Sequence, residues 1–196
     1  MQKIGIVGGL GPESTLEYYR GIIEAFKPTY DTLGFPEIAV ESVDLRSFTE
    51  RAQRGEWEQI AAMLVDRFET LRRGGAQLGA MASNTPHRVF DSVQRGTALP
   101  LLSIVGATRN RAVELGIEKL CLLGTEFTMR SDFFQRVLGE AGIRVVVPDS
   151  DEIDYIQEKI FSEVEFGVVR EDTRRGFLRI VERITTERKV QGVILG

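Results

Sequence analysis

A run of short polar side chains directly follows one of the apolar segments of the chain, at residues 83–87. Ser83, Asn84 and Thr85 each carry a group that can make hydrogen bonds. His87, in the same run, is the only histidine of the sequence and can orient a carboxylate or exchange a proton. Loops held by a rigid sheet commonly bind ligands, so this segment is a candidate site, although the same residue types also cap helices.

A glycine-rich segment at residues 8–12, GGLGP, follows the first apolar run. Free backbone N–H groups at the start of a helix suit a carboxylate or a phosphate. The segment resembles a dinucleotide-binding fingerprint, but the third glycine of that motif falls on Ser14, and Pro12 removes one backbone donor. A tight turn between a strand and a helix, without any ligand, explains the glycines equally well.

The second half of the chain has a corresponding polar loop, which contains Thr125, Glu126 and Thr128. Either threonine could cap a helix that begins near Met129, and threonine hydroxyls could also bind an anion. The single cysteine, Cys121, lies inside an apolar run between leucines. Buried cysteines usually behave as small apolar groups, so we expect no nucleophile there.

Short runs rich in isoleucine, valine and leucine alternate with helical patterns. The runs span residues 3–9, 37–44, 77–83, 99–105, 118–125, 143–149 and 190–196. We expect them to be buried parallel strands. The apolar stripe from Trp57 to Leu71 predicts a helix that ends at Gly74-Gly75, and residues 170–189 predict an amphipathic helix. The alternation indicates an α/β fold whose ligands bind beyond the carboxyl ends of the strands.

The polar and glycine-rich loops recur at almost equal spacing in the two halves. From Gly9 to Ser83 is 74 positions, and from Gly124 to the position after Gly196 is 73. We therefore expect two similar Rossmann-like lobes with parallel sheets that face each other across a ligand cleft. The predicted domains are residues 1–99 and 100–196.

The composition narrows the class of partner. With 25 basic and 29 acidic residues the formal net charge is −4, which argues against nucleic acid and anionic membranes and favours a small-molecule partner. One cysteine and one histidine are a poor set of ligands for a transition metal. No apolar run has the length of a signal peptide or a membrane span. We expect a cytoplasmic protein without a metal.

Several segments in the right order resemble the aspartate/glutamate racemase family over all 196 residues. They are KIGIVGGLGPESTLEYYR, SNTPH where the family has Cys-Asn-Thr-x-His, PLLSIVGAT, LLGTEFTM and GVILG. The resemblance implies a cofactor-independent enzyme, commonly a homodimer, that interconverts L- and D-aspartate or glutamate. In such enzymes two pseudo-symmetric lobes bring two cysteine thiols to opposite faces of the substrate α-carbon. One thiol removes the α-proton and the other returns a proton.

The resemblance also assigns roles to residues of this chain. The residues that it places against the substrate are Leu10, Gly11, Asn84, Thr85, Thr125 and Thr128. Ser83 takes the first thiol position and His87 supports it, so both are expected to be catalytic. A serine hydroxyl is a much weaker acid than a thiol, although some L-specific members of the family also carry a hydroxyl residue there. The second thiol would follow Gly196, and we expect the gene to continue there with Cys-Thr and a closing helix.

Three other functions are compatible with the sequence. A family member that has lost its thiols could bind an amino acid or a dicarboxylate without catalysis. A single acid/base group would suffice for an isomerase or a decarboxylase of small diacids. The glycine-rich loop, together with Asp44 at the end of the second apolar run, leaves a nucleotide-binding module open.

Overall fold

A computed structural model describes residues 2–27 and 34–196. The chain divides into two compact units, Met1–Ile104 and Val105–Gly196, each with its own parallel sheet. The boundary predicted between residues 99 and 100 lies just before the last strand of the first sheet, which stays with the first unit. In the described part of the chain no helix combines the length and the apolar character needed to cross a bilayer.

The first unit is a four-stranded parallel sheet with helices between its strands. In chain order its elements are β1 (Ile4–Gly8), α1 (Pro12–Phe26), β2 (Ile38–Ser42), α2 (Leu45–Gln53), α3 (Trp57–Arg73), β3 (Leu78–Met81), α4 (Phe90–Gly96) and β4 (Leu101–Leu102). The strand order is β2-β1-β3-β4. The predicted α/β fold with parallel strands is confirmed. The predicted burial of every strand is wrong for β2 and β4, because they lie at the edges of the sheet, where Val40 of β2 is 44% exposed and Leu102 of β4 is 57% exposed.

Helix α3 supplies much of the core of the first unit. Ile60, Leu64 and Phe68 have no exposed surface, and they recur every four residues along one face of the helix. The helix ends as predicted, with Gly74 as its C-cap. Phe68 approaches β3 so closely that a Cβ atom added at Gly79 would lie 2.9 Å from its Cε1 atom.

The segment at residues 99–105 forms a shorter strand than the sequence predicts. Only Leu101–Leu102 pair as β4, and a helix, α5 (Ile104–Glu114), begins two residues later. β4 is an edge strand that pairs with β3 alone, through Gly79 and Ala80, so its length is limited by one partner. The remaining isoleucine and valine of this apolar run belong to α5.

The second unit is a three-stranded parallel sheet in the order β6-β5-β7. After α5 its elements are β5 (Lys119–Leu123), α6 (Glu126–Arg130), α7 (Phe133–Gly139), β6 (Arg144–Val146), α8 (Ser150–Ser162), α9 (Glu171–Arg188) and β7 (Gly192–Leu195). The amphipathic helix predicted at residues 170–189 is α9. Arg183 of α9 donates a hydrogen bond to Glu152 of α8 at 2.8 Å and forms an ion pair with Asp149 at 2.9 Å, which links the two helices.

The close contact at Gly79 predicts that Gly79→Ala destabilises the first unit. The new Cβ would also lie 2.6 Å from Leu101 Cδ2, so side chains must shift, and we expect a loss of about 1–3 kcal/mol in the free energy of unfolding. Gly21→Ala in α1 is the matched control, because a Cβ there meets nothing within 4 Å. It should stabilise the helix by up to about 1 kcal/mol. Denaturant unfolding measures both, and equal changes for the two variants would contradict this packing.

Candidate functional site

Two loops leave the first sheet side by side at its carboxyl edge. β1 and β3 are neighbours, with Val7 paired to Met81, so the loops that follow them begin at the same edge. The backbone N–H of Ala82 donates to the carbonyl of Val7 at 2.9 Å, which extends the pairing into the second loop. The glycine-rich segment and the polar segment of the sequence are therefore neighbours within the first unit.

The loop after β1 is shaped by two glycines and by Thr15. Gly9 has a φ of 77° and Gly11 has a φ of 117°, both in the left-handed region that favours glycine. A Cβ at Gly9 would lie 2.4 Å from the carbonyl oxygen of Val43. The N–H of Gly9 donates to Thr15 Oγ1 at 3.0 Å. Among the described residues, the N–H groups of Leu10 and Gly11 have no acceptor, so they are free to donate to a ligand.

The loop after β3 has unpaired groups of its own. Ser83 and Asn84 are half-buried, and neither the side chains nor the backbone N–H groups of these two residues form hydrogen bonds within residues 2–27 and 34–196. Both carbonyl oxygens are engaged with His87, which donates from its ring to the Ser83 oxygen and from its backbone N–H to the Asn84 oxygen, each at 2.9 Å. The loop thus turns its carbonyls toward His87 and leaves its donors available.

His87 itself is buried, with 3% of its surface exposed, and its ring stacks on Phe90. The N–H of Ile104 donates to Nε2 at 3.2 Å, while Nδ1 lies 2.9 Å from the Ser83 oxygen. A ring nitrogen that accepts a hydrogen bond carries no proton, so the ring is neutral with its proton on Nδ1. Burial lowers the pKa of His87 to about 4. Neither ring nitrogen is free for the proton exchange that the sequence suggested.

Two further polar residues of the first unit have structural partners. Thr85 is buried and opens a 3₁₀ turn, Thr85–Val89. Asp44 accepts the N–H of Ser47 at 2.7 Å and so caps α2. Since its carboxylate is engaged in this cap, Asp44 gives no support to the nucleotide-binding alternative.

The polar loop after β5, in the second unit, has hydrogen-bond partners within that unit. Thr125 is the N-cap of α6 and its Oγ1 accepts the N–H of Thr128 at 3.2 Å. The helix therefore begins at Glu126, earlier than the predicted start near Met129. Thr128 is fully buried, with its hydroxyl 3.1 Å from that of Thr125. The N–H of Glu126 donates to Gln157 Oε1 at 2.7 Å, so side chains already satisfy this helix start.

Cys121 lies in the middle of β5 with no exposed surface. Burial raises the pKa of its thiol to about 11, because the thiolate would lose its hydration. At neutral pH the group is a thiol, and thiols are poor nucleophiles. This environment agrees with the apolar role that the sequence suggested.

Residues 7–196 match the Asp/Glu/hydantoin racemase family. The chain belongs to this family. The family predicted from the GGLGP, SNTPH and LLGTEFTM segments is thereby confirmed. Membership assigns the chain to a family of racemases and does not by itself specify a substrate.

Solved structures of relatives share the fold over the whole chain. A putative Asp/Glu racemase from Yersinia pestis is 32% identical with a TM-score of 0.89, and an aspartate racemase homologue from Pyrococcus horikoshii OT3 is 38% identical with a TM-score of 0.84. In each case the match covers 100% of this chain and 85% of the other. The broad specificity amino-acid racemase RacX of Bacillus subtilis (strain 168) is 26% identical over 149 residues, which are 74% of this chain and 64% of RacX.

Sequence reasoning missed three residues that shape these loops: Thr15, Ile104 and Gln157. Thr15 had a local signal, because it lies one turn into the helix that follows GGLGP. Ile104 bonds to His87, which is 17 positions away, and Gln157 bonds to Glu126, which is 31 positions away. No local pattern marks such long-range partners, so only the fold reveals them.

The buried state of His87 predicts how stability depends on pH. Its pKa is about 4 in the folded protein, against 6.5 when it is exposed. The unfolded chain therefore binds this proton first, and stability is retained above pH 6.5 and lost as the pH falls toward 4. The expected loss from this group is about 3 kcal/mol.

Urea unfolding of the native protein and of His87→Asn between pH 7.5 and 4 measures this effect. No other histidine is present, and carboxylates contribute to both proteins alike. The native protein should lose more stability than the variant over this range. Parallel pH profiles would show that His87 is not buried in its neutral form.

Proposed function

We propose that this chain is a cofactor-independent amino-acid racemase that acts on aspartate or glutamate. The observation that carries the proposal is the set of unpaired backbone donors at the carboxyl edge of β1 and β3. These donors are the N–H groups of Leu10, Gly11, Ser83 and Asn84, which have no acceptor in the part of the chain that the structure describes. Oriented backbone N–H groups bind carboxylates without a charged side chain. The family resemblance adds the proposals of a cytoplasmic location and a homodimer.

The α-carboxylate of the substrate would lie on these donors. Removal of the α-proton is difficult because negative charge builds up on the α-carbon and the adjoining carboxylate. Donors aimed at that carboxylate stabilise the transition state more than the ground state, since the charge is larger there. The free side-chain amide of Asn84 adds a further donor at the same edge.

Ser83 would act on one face of the α-carbon. Its hydroxyl has no hydrogen-bond partner in the described residues, so it is free to approach the substrate. In this proposal a second acid/base group acts on the opposite face of the α-carbon, and one group removes a proton while the other returns one. His87 does not activate Ser83 as a base, because both of its ring nitrogens hold backbone groups. Proton exchange on the Ser83 face should therefore be the slower of the two.

Exchange of the α-proton in D₂O tests this assignment. Proton NMR follows the loss of the α-signal from D- and L-aspartate and from D- and L-glutamate, with protein expressed from the whole gene. Ser83→Cys should speed exchange by at least about ten-fold for the enantiomer whose α-proton faces residue 83, because a thiol ionises far more readily. Ser83→Ala should abolish inversion.

The control for both variants is Ser92→Ala. Ser92 lies exposed on α4, where its hydroxyl accepts a hydrogen bond from Arg95 at 3.2 Å. This change should leave exchange at the native rate. If Ser83→Cys leaves exchange unchanged for both enantiomers, Ser83 does not touch the reacting carbon.

One observation favours a second function, in which the chain binds the amino acid or a dicarboxylate without catalysis. The unpaired donors would hold the carboxylate, but His87 does not serve Ser83 as a base, because both of its ring nitrogens bond to backbone groups. Aspartate would then raise the melting temperature in proportion to the logarithm of its concentration. Such a shift without any α-proton exchange in D₂O would establish binding in place of racemisation.

A further inference from the structure

We propose that His87 is a positioning residue, which orients the Ser83–Asn84 peptide toward the substrate and keeps one neutral tautomer throughout the reaction. The inference rests on the proposed function, since it concerns the same carboxylate site. It assigns to His87 a task other than proton exchange.

The orientation follows from two hydrogen bonds on opposite sides of the ring. The N–H of Ile104, the first residue of α5, donates to Nε2 at 3.2 Å. Because Nε2 accepts, the ring proton is on Nδ1, and Nδ1 donates to the Ser83 oxygen at 2.9 Å. Stacking on Phe90, with 5.4 Å between ring centroids, holds the plane of the imidazole. The ring therefore spans from the start of α5 to the loop after β3.

The bond to Ser83 sets the direction of the neighbouring N–H. The carbonyl of Ser83 and the N–H of Asn84 belong to one peptide group, and this peptide is trans. In a trans peptide the two bonds point in opposite directions. Since the carbonyl points to His87, the N–H of Asn84 points away from it, and it has no acceptor in the described part of the chain.

A second contact reinforces this arrangement. The backbone N–H of His87 donates to the carbonyl of Asn84 at 2.9 Å. Consecutive carbonyls are thus turned to the same residue, and the N–H groups of Ser83 and Asn84 have no acceptor within residues 2–27 and 34–196. If His87 were protonated, Nε2 would become a donor facing the N–H of Ile104, and this support would be lost.

Nitrogen-15 NMR tests the tautomer without any reference to activity. In the protein labelled on histidine, Nδ1 should give the signal of a protonated nitrogen and Nε2 that of an unprotonated one, unchanged from pH 8 to pH 5.5. His87 is the only histidine, so the assignment is unambiguous. A titration with a midpoint near 6.5, or a proton on Nε2, would overturn the proposal.

Two amide variants distinguish the hydrogen bond at Nδ1 from the hydrogen bond at Nε2. In His87→Asn the amide nitrogen occupies the place of Nδ1 and can donate to the Ser83 oxygen, but the side chain is too short to accept from Ile104. In His87→Gln the longer side chain reaches Ile104 and places no donor where Nδ1 stood. His87→Leu makes neither bond.

The proposal predicts that α-proton exchange of aspartate is at least about ten-fold faster in His87→Asn than in His87→Gln or His87→Leu, because only the first keeps the peptide oriented. The KM for aspartate should rise in the latter two. Equal rates in the Asn and Gln variants, or rates that simply follow their melting temperatures, would show that His87 is only a packing residue.

The proposed function and the proposed role of His87 are disproved by different results. If the native protein exchanges no α-proton, the proposed function fails, while the tautomer measurement still decides the state of His87. The backbone amide of Asn84 gives a further readout, since its resonance should shift when L-aspartate is added to the native protein and to His87→Asn. The absence of that shift in His87→Asn, with a shift present in the native protein, would overturn the role of the Ser83 contact.

Discussion

The parallel pairing of β1 with β3 determines where every candidate residue of the first unit lies. Register places Val7 beside Met81, and the next hydrogen bond, from Ala82 to Val7, carries the pairing just past the end of β3. A shift of one residue in this register would turn every side chain of the shifted strand to the other face of the sheet. The loops that follow the two strands are 74 residues apart in sequence, from Gly9 to Ser83, and this pairing makes them neighbours.

Much of this arrangement could be predicted from the sequence, because parallel strands and the helices between them leave periodic signals. The structure confirms the predicted apolar stripe of α3 and the predicted amphipathic helix α9. The predicted length of β4 and the predicted burial of β2 are wrong, because both properties depend on the position of a strand at the edge of the sheet. The polar loops were visible as motifs, but the state of their hydrogen bonds was not. His87 shows this best, as its partner Ile104 comes from a distant segment.

Histidine chemistry in this protein is governed by solvation more than by nearby charge. Burial is the largest effect on the pKa of His87, and it opposes the two backbone carbonyls that favour the charged form. The groups at the edge of the sheet that have no partner among the described residues are dipoles, namely backbone N–H groups, a hydroxyl and an amide. A fixed array of dipoles needs no proton to be in place before an anion binds, so its affinity should not depend on the ionisation of the protein near neutral pH.

The closed loop of Thr125 and Thr128 has a different implication for how the two halves tolerate change. In the second unit the N–H groups of Glu126 and Thr128 donate to Gln157 and Thr125, whereas in the first unit the N–H groups of Leu10, Gly11, Ser83 and Asn84 have no acceptor among the described residues. Substitutions of Thr125 or Gln157 remove these hydrogen bonds, so they are expected to lower the stability of the second unit. Substitutions of Ser83 or Asn84 remove no side-chain hydrogen bond within the described residues, so they are expected to cost less stability. Mutational tolerance is therefore expected to differ between the two units, with the loop before α6 the more sensitive in its effect on stability.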